Sequence, residues 1–164
     1  MLDAVKLFFI NYFNFTGRAS RSEYWWFILA YLIVEIVIAI AEGLAIGIEY
    51  AGSGVASNLF DFATIVGWLS LNARRLQDRG HTGWWQLAYL IPIIPLAYFG
   101  ILFALTEDLA HVIGLGLVAL LWIGIVITLI VFLCLPPKED ENKWGRNPLL
   151  PDTGLTDQIS DQSL

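Results

Sequence analysis

Charge is what this chain has least of for its size. Only 15% of its 164 residues are Asp, Glu, Lys or Arg, while 57% are hydrophobic. A soluble domain carries about a quarter charged residues, so a water-soluble globular protein is excluded. Histidine and cysteine are nearly missing too, at two and one. A lone cysteine rules out an intramolecular disulfide, and Cys134 is read as a packing residue. No His-x-x-His or Cys-x-x-Cys spacing marks a metal site. Nor is there a G-x-S-x-G elbow, a phosphate loop or a dinucleotide fingerprint. Asp61 has no second aspartate in a span, which argues against an aspartyl dyad. Ser20 and Ser22 lack a nearby base. No enzymatic activity, no cofactor and no metal are therefore expected. The nine basic residues are spread over three corners, giving no support to nucleic-acid binding. Residues 1–16 hold only Lys6 as a positive charge, so a cleaved signal peptide is not expected.

Long apolar runs are present instead. A spanning helix needs about 20 apolar residues, and four stretches qualify, at about 22–50, 55–78, 83–105 and 111–135. Residues 5–15, aromatic and too short to span, read as an amphipathic helix on the headgroups. Every Lys and Arg lies before the first stretch, at the junction of the second and third (Arg74, Arg75 and Arg79), or after the fourth. The positive-inside rule then puts both termini and the 72–85 loop in the cytoplasm. His81 and His111 fall on opposite sides. Residues 149–164, polar and rich in Asp, Ser, Thr and Gln, read as a disordered cytoplasmic tail. The pairs Trp25–Trp26 and Trp84–Trp85 open the first and third spans at the depth where amphipathic rings anchor.

Two short stretches carry more specific patterns. In GRASRSEYWWF, residues 17–27, Ser20 and Glu23 have the spacing of a capping box, and Gly17 lets the chain turn off the surface helix. In NARRLQDRGHTGWW, residues 72–85, Asp78 stands four residues from Arg74 and three from Arg75, so both are expected to pair with it along the helix. Gly80 suits a left-handed C-cap, and Thr82 an N-cap. These corners bring Arg18, Arg21, Arg74, Arg75 and Arg79 to one face with only Glu23 and Asp78 as counter-charges. Topology signalling with local pairing is one reading. The other pairs Glu23 with an arginine of the second loop and leaves the remaining arginines to anionic lipid headgroups.

GRASRSEYWWF, then ARRLQDRGHTGWW, then NKWGRNP near the end resemble the successive signatures of a bacterial family, domain of unknown function 805, the YhaH/YhaI-like inner-membrane proteins. The order and spacing match over residues 10–148. Family members often have a tyrosine and a second proline in the third motif, where this chain has Trp144 and Arg146. The resemblance implies a small polytopic protein of the bacterial inner membrane, and it implies no activity.

The acids of the first span stand out. Glu35, Glu42 and Glu49 recur every seven residues, which on one helix puts them on a single stripe with steps of about 10 Å. A central acid costs about 2.5–3.5 kcal/mol on insertion scales, so the stripe must face other helices or water. Asp61 enters at a depth similar to Glu42, and Thr64, Ser70 and Asn72 continue a polar trace. These residues read as a path for protons or cations (Glu35, Glu42, Glu49, Asp61, Ser70, Asn72), as hydrogen-bonded interhelical glue, or as a homo-oligomer seam. Gly43 and Gly47, in GxxxG spacing, fit the last two. Pro92 and Pro95 are expected to kink the third span.

The expected fold is all-α: a polytopic membrane protein with four transmembrane helices in a small bundle and an N-terminal interfacial helix, residues 1–148 forming one membrane domain. The expected role is non-enzymatic, as a membrane-organising or accessory protein with the bilayer, anionic headgroups and further copies of itself as partners. The alternative is a small proton- or cation-conducting transporter.

Overall fold

The computed structural model describes residues 1–150. The tail expected over 149–164 therefore falls, from residue 151 onward, outside the described residues. Helix α1, Leu2–Ile10, begins and ends earlier than the expected 5–15 segment. It is docked rather than merely lying on a surface. Phe8 is fully buried and stacks on Phe27 with ring centroids 3.8 Å apart. A glycine at position 67 permits this, since a Cβ there would overlap the Phe8 and Tyr12 rings. The segment after α1 is tied to the second span: the Tyr12 hydroxyl donates to the Ala63 carbonyl at 2.6 Å.

Helix α2, Arg21–Ile46, opens at Ser20, whose Oγ accepts from the Glu23 amide at 3.1 Å. It stops at Gly47, where φ is +118°. Glu49 therefore lies beyond the helix, exposed on a single 3₁₀ turn, Ile48–Tyr50. The three-acid stripe is thereby corrected to two acids, Glu35 and Glu42. The returning chain lies over Gly43, where a Cβ would stand 3.3 Å from that of Ala51.

Helix α3, Val55–Asp78, ends in a Schellman motif. The His81 amide reaches the Leu76 carbonyl, the Gly80 amide reaches that of Gln77, and Gly80 has φ +81°. The third span comes in two pieces, a 3₁₀ helix at Gly83–Leu90 and helix α4 at Ile93–Thr106. Pro92 occupies the α4 N-cap position and Pro95 its first turn. Both missing N–H groups fall where a helix has no use for them, so the prolines start a helix instead of kinking one. Thr82 precedes the 3₁₀ helix without a side-chain cap bond. Helix α5, Leu109–Cys134, is capped by Asp108, whose Oδ1 accepts from the Ala110 amide at 3.0 Å. A short antiparallel hairpin follows, β1 at Glu141–Asn142 and β2 at Gly145–Arg146.

Four segments are long and apolar enough to cross a membrane: Arg21–Ile46, Ile48–Asp78, Gly83–Thr106 and Leu109–Cys134. In the bundle α2 packs on α3, α4 packs on α5, and α3 touches both α5 and the 3₁₀ half of the third span. The core sits at the arginine-bearing end, where Phe8, Ala19, Tyr24, Phe27, Leu71, Leu76, Leu129 and Leu133 cluster. Elsewhere large aliphatic side chains such as Leu44, Ile94, Leu105 and Leu120 point outward, as lipid-facing residues do.

Candidate functional site

The ion pairs Arg18–Asp78, Arg75–Asp78 and Arg74–Glu23 all lie at the basic end. Asp78, in the last turn of α3, is 1% exposed. Its Oδ1 accepts from Arg18 Nε at 2.8 Å, and its Oδ2 accepts from Arg75 Nη1 at 2.5 Å. Arg75, also fully buried, carries its fork across the interface. Nε donates to the Leu133 carbonyl at 2.9 Å, and Nη2 to that of Leu135. Those are orphan acceptors at the C-terminal end of α5, where a helix favours a cation. Arg79 does the same for the Pro136 carbonyl. Arg18 also donates to the carbonyls of Glu139, Asp140 and Gly145, fastening the hairpin. Asn142 adds a bond to the Gln77 carbonyl at 3.0 Å.

Arg74 does not pair with Asp78. It reaches Glu23 at 2.9 Å instead, linking the first turn of α2 to the last turns of α3. The Glu23 side chain is thus drawn to an arginine of the second loop, while the Ser20 half of the expected capping box is present. The Ala19 amide seals the same joint by donating to the Arg74 carbonyl. Four of the five clustered arginines thus donate to internal carbonyls or carboxylates. Arg21 is exposed and borders a groove with Trp25, Trp26 and Cys134. Cys134, expected to pack, is exposed there because it lies at the outer side of the last α5 turn.

The membrane acids are divided by their surroundings. Glu42 is buried and acts as an N-terminal cap for α3. One oxygen accepts from the amides of Ala56 and Ser57 at 2.8 and 3.0 Å, the other from the Gly54 amide and from Ser57 Oγ at 2.6 Å. A carboxylate at a helix N-terminus satisfies orphan donors and meets the positive end of the dipole. Asp61 stands apart from it, exposed, and accepts from the Tyr31 hydroxyl. Glu35 has one buried oxygen without a partner and feels the charges of Asp61 and Glu42. Thr64 bonds back to its own helix. Ser70 holds the carbonyls of Asn11 and Asn14 at 2.7 Å, and Asn72 accepts from the Tyr24 hydroxyl. The structure thus brings together Glu35, Asp61 and Tyr31, and it engages Glu42, Ser70 and Asn72 in separate structural bonds. All four expected anchor tryptophans are exposed, Trp84 most at 77%.

Sequence reasoning missed the hairpin, Gln77 and the two tyrosines. Tyr24 and Tyr31 bond Asn72 and Asp61 on another helix, 48 and 30 residues away in sequence, so no short-range spacing signalled either. Among the described residues, no three His, Cys, Asp or Glu side chains gather as metal ligands.

A sequence profile of the family described as protein of unknown function (DUF805) matches residues 12–146. The inner membrane protein YhaI of Escherichia coli K12 is 30% identical over 138 residues, covering 84% of this chain and 88% of that protein. The inner membrane protein YhaH of the same strain is 34% identical over 84 residues, 51% of this chain and 69% of its own length. No solved structure matches the chain.

Proposed function

Since this chain belongs to the DUF805 family and its relatives are inner membrane proteins, we propose that it is a non-enzymatic membrane-organising or accessory protein, held with its basic end in the cytoplasm. One observation carries this reading: the side chains of the two most specific motifs close the fold on itself. Arg18, Arg74, Arg75, Asp78 and Glu23 all bond internally, and a reaction centre needs groups left free to meet a substrate. Among the groups left outward at that end is a rim of Arg21, Trp25, Trp26 and Cys134. All nine basic residues lie in the three segments that meet there, which under the positive-inside rule puts both termini inside.

Cys134 supplies the test, being the chain's single cysteine and exposed. A bifunctional thiol reagent applied to native membranes is expected to yield discrete adducts larger than the monomer. Monomer alone, after complete thiol modification, counts against an accessory role.

A second reading, proton or cation conduction, draws on the unpartnered Glu35 oxygen beside Asp61 and Tyr31. Proteoliposomes separate the two. An accessory protein leaks no faster than Glu35→Gln or empty vesicles. Flux above both, lost in Glu35→Gln, replaces the accessory reading with transport.

A further inference from the structure

A cavity of about 580 Å³ lies at the basic end, and its lining includes neither the junction arginines nor the membrane acids. Small-molecule sites commonly fall between 300 and 1,000 Å³. Four parts of the chain build it: the segment after α1, the C-terminal half of α3, the 3₁₀ half of the third span, and the hairpin. Gly83 lets the 3₁₀ helix approach α3, since a Cβ there would fall 2.6 Å from that of Ala73. The hairpin is held over this space by the Asn142 bond to Gln77.

The lining is chemically uneven. Gln77 is 95% buried, given an exposure of 5%. Its Nε2 donates to the Phe15 carbonyl at 2.9 Å, which fixes the amide so that Oε1 is the remaining acceptor. That Oε1 has no partner. Gln86, which lines the same cavity from the 3₁₀ helix, likewise has its Oε1 buried and unpartnered. Buried acceptors left unmet are costly, and native structures rarely keep them without something to fill the place. Beside them stand one cation, Lys143, 4.3 Å above the Trp144 ring, and an apolar wall that includes Leu69 and Leu87. Trp84 edges the opening and faces outward.

We propose that this cavity binds the headgroup of a glycerophospholipid whose phosphate carries a further hydroxyl or ammonium group. Lys143 meets the phosphate, the hydroxyl or ammonium donates to the two glutamine oxygens, and the chain start lies along Leu69 and Leu87. The components match in polarity: two acceptors need donors, one cation needs an anion, and an apolar wall at the interface needs a hydrocarbon. A soluble anion satisfies only the second. A choline headgroup satisfies the phosphate but has no hydrogen to donate.

Native mass spectrometry of the purified full chain in detergent, titrated separately with phosphatidylglycerol, phosphatidylethanolamine and phosphatidylcholine, tests this. The expected result is one tightly held lipid of either of the first two kinds, at about tenfold higher affinity than phosphatidylcholine, the factor one buried hydrogen bond supplies. Gln86→Leu is expected to abolish that preference. Lys143→Gln, at an exposed position, is expected to keep the wild-type thermal midpoint and to weaken all three lipids together. Equal affinity for the three lipids in the wild type, or a preference unchanged in Gln86→Leu, overturns the proposal. Glycerol phosphate that competes as well as the whole lipid also overturns it. The cross-linking and flux measurements above vary independently of this outcome.

Discussion

Asp78 accepts from two guanidinium groups at once, and removing its charge leaves two buried arginines short of a partner. Breaking one partner out of a buried ion pair costs about 3–5 kcal/mol. Asp78→Asn is therefore expected to lower the thermal midpoint of the detergent-solubilised protein more than any single surface substitution, as followed by tryptophan fluorescence. Arg75→Lys should fall in the same class. A lysine keeps the charge but loses the fork that spans Asp78, Leu133 and Leu135. Glu23→Gln should destabilise more than Ser20→Ala, because it breaks the bond to Arg74 between two helices and not only a local cap. At this scale the sequence is partly legible. The Ser20 cap follows from local spacing, and Glu23 with its arginine follows from charge balance in one corner. Which arginine takes which acid depends on how α3 is rotated against α2, and helical spacing alone favours the wrong partner for Arg74.

Helices α2 and α3 end at positive-φ glycines, Gly47 and Gly80, and the acids follow. Periodicity alone treats residues 22–50 as one helix and lines up three glutamates on it. Gly47, with its positive φ, turns the chain back, so Glu49 leaves the stripe and Gly54–Ser57 comes round to Glu42. A glutamate that reads as part of a polar path is thus the N-terminal cap of the next helix. The sequence conceals this because a cap twelve or more residues away has no short-range spacing to betray it. Glu42→Gln, which keeps the shape but loses the charge at the α3 N-terminus, is expected to loosen the first turn of α3. Hydrogen exchange at the amides of Ala56 and Ser57 should speed up while amides near Asp78 stay protected. Gly67→Ala tests the other joint. Its Cβ overlaps Phe8 and Tyr12, so α1 should undock and become cleavable by protease while the spans remain intact.

The molecule as a whole is tight at one end and open elsewhere. The buried core and the ion pairs lie together at the basic end, and the outer halves of the spans meet lipid. This much was readable from runs of apolar residues and from the segregation of charge. The hairpin was not, because NKWGRNP has neither apolar periodicity nor length, and its order comes from Arg18 and Gln77 far away in sequence. Ending the chain after residue 137 should accordingly lower the thermal midpoint and make the 17–27 segment exchange faster, with insertion of the four spans unaffected. The fully buried guanidinium of Arg75 has a consequence for biosynthesis. It belongs to the second span, but it binds carbonyls at Leu133 and Leu135, near the end of the fourth. On a ribosome that releases the chain from its N-terminus, Arg75 is made some sixty residues before the groups that satisfy it. In the half-made protein Asp78 already balances the charge, but two of the guanidinium donors stay unmet at the membrane face until the last span is complete. A membrane protease that reads such open donors would tell finished copies from abandoned ones.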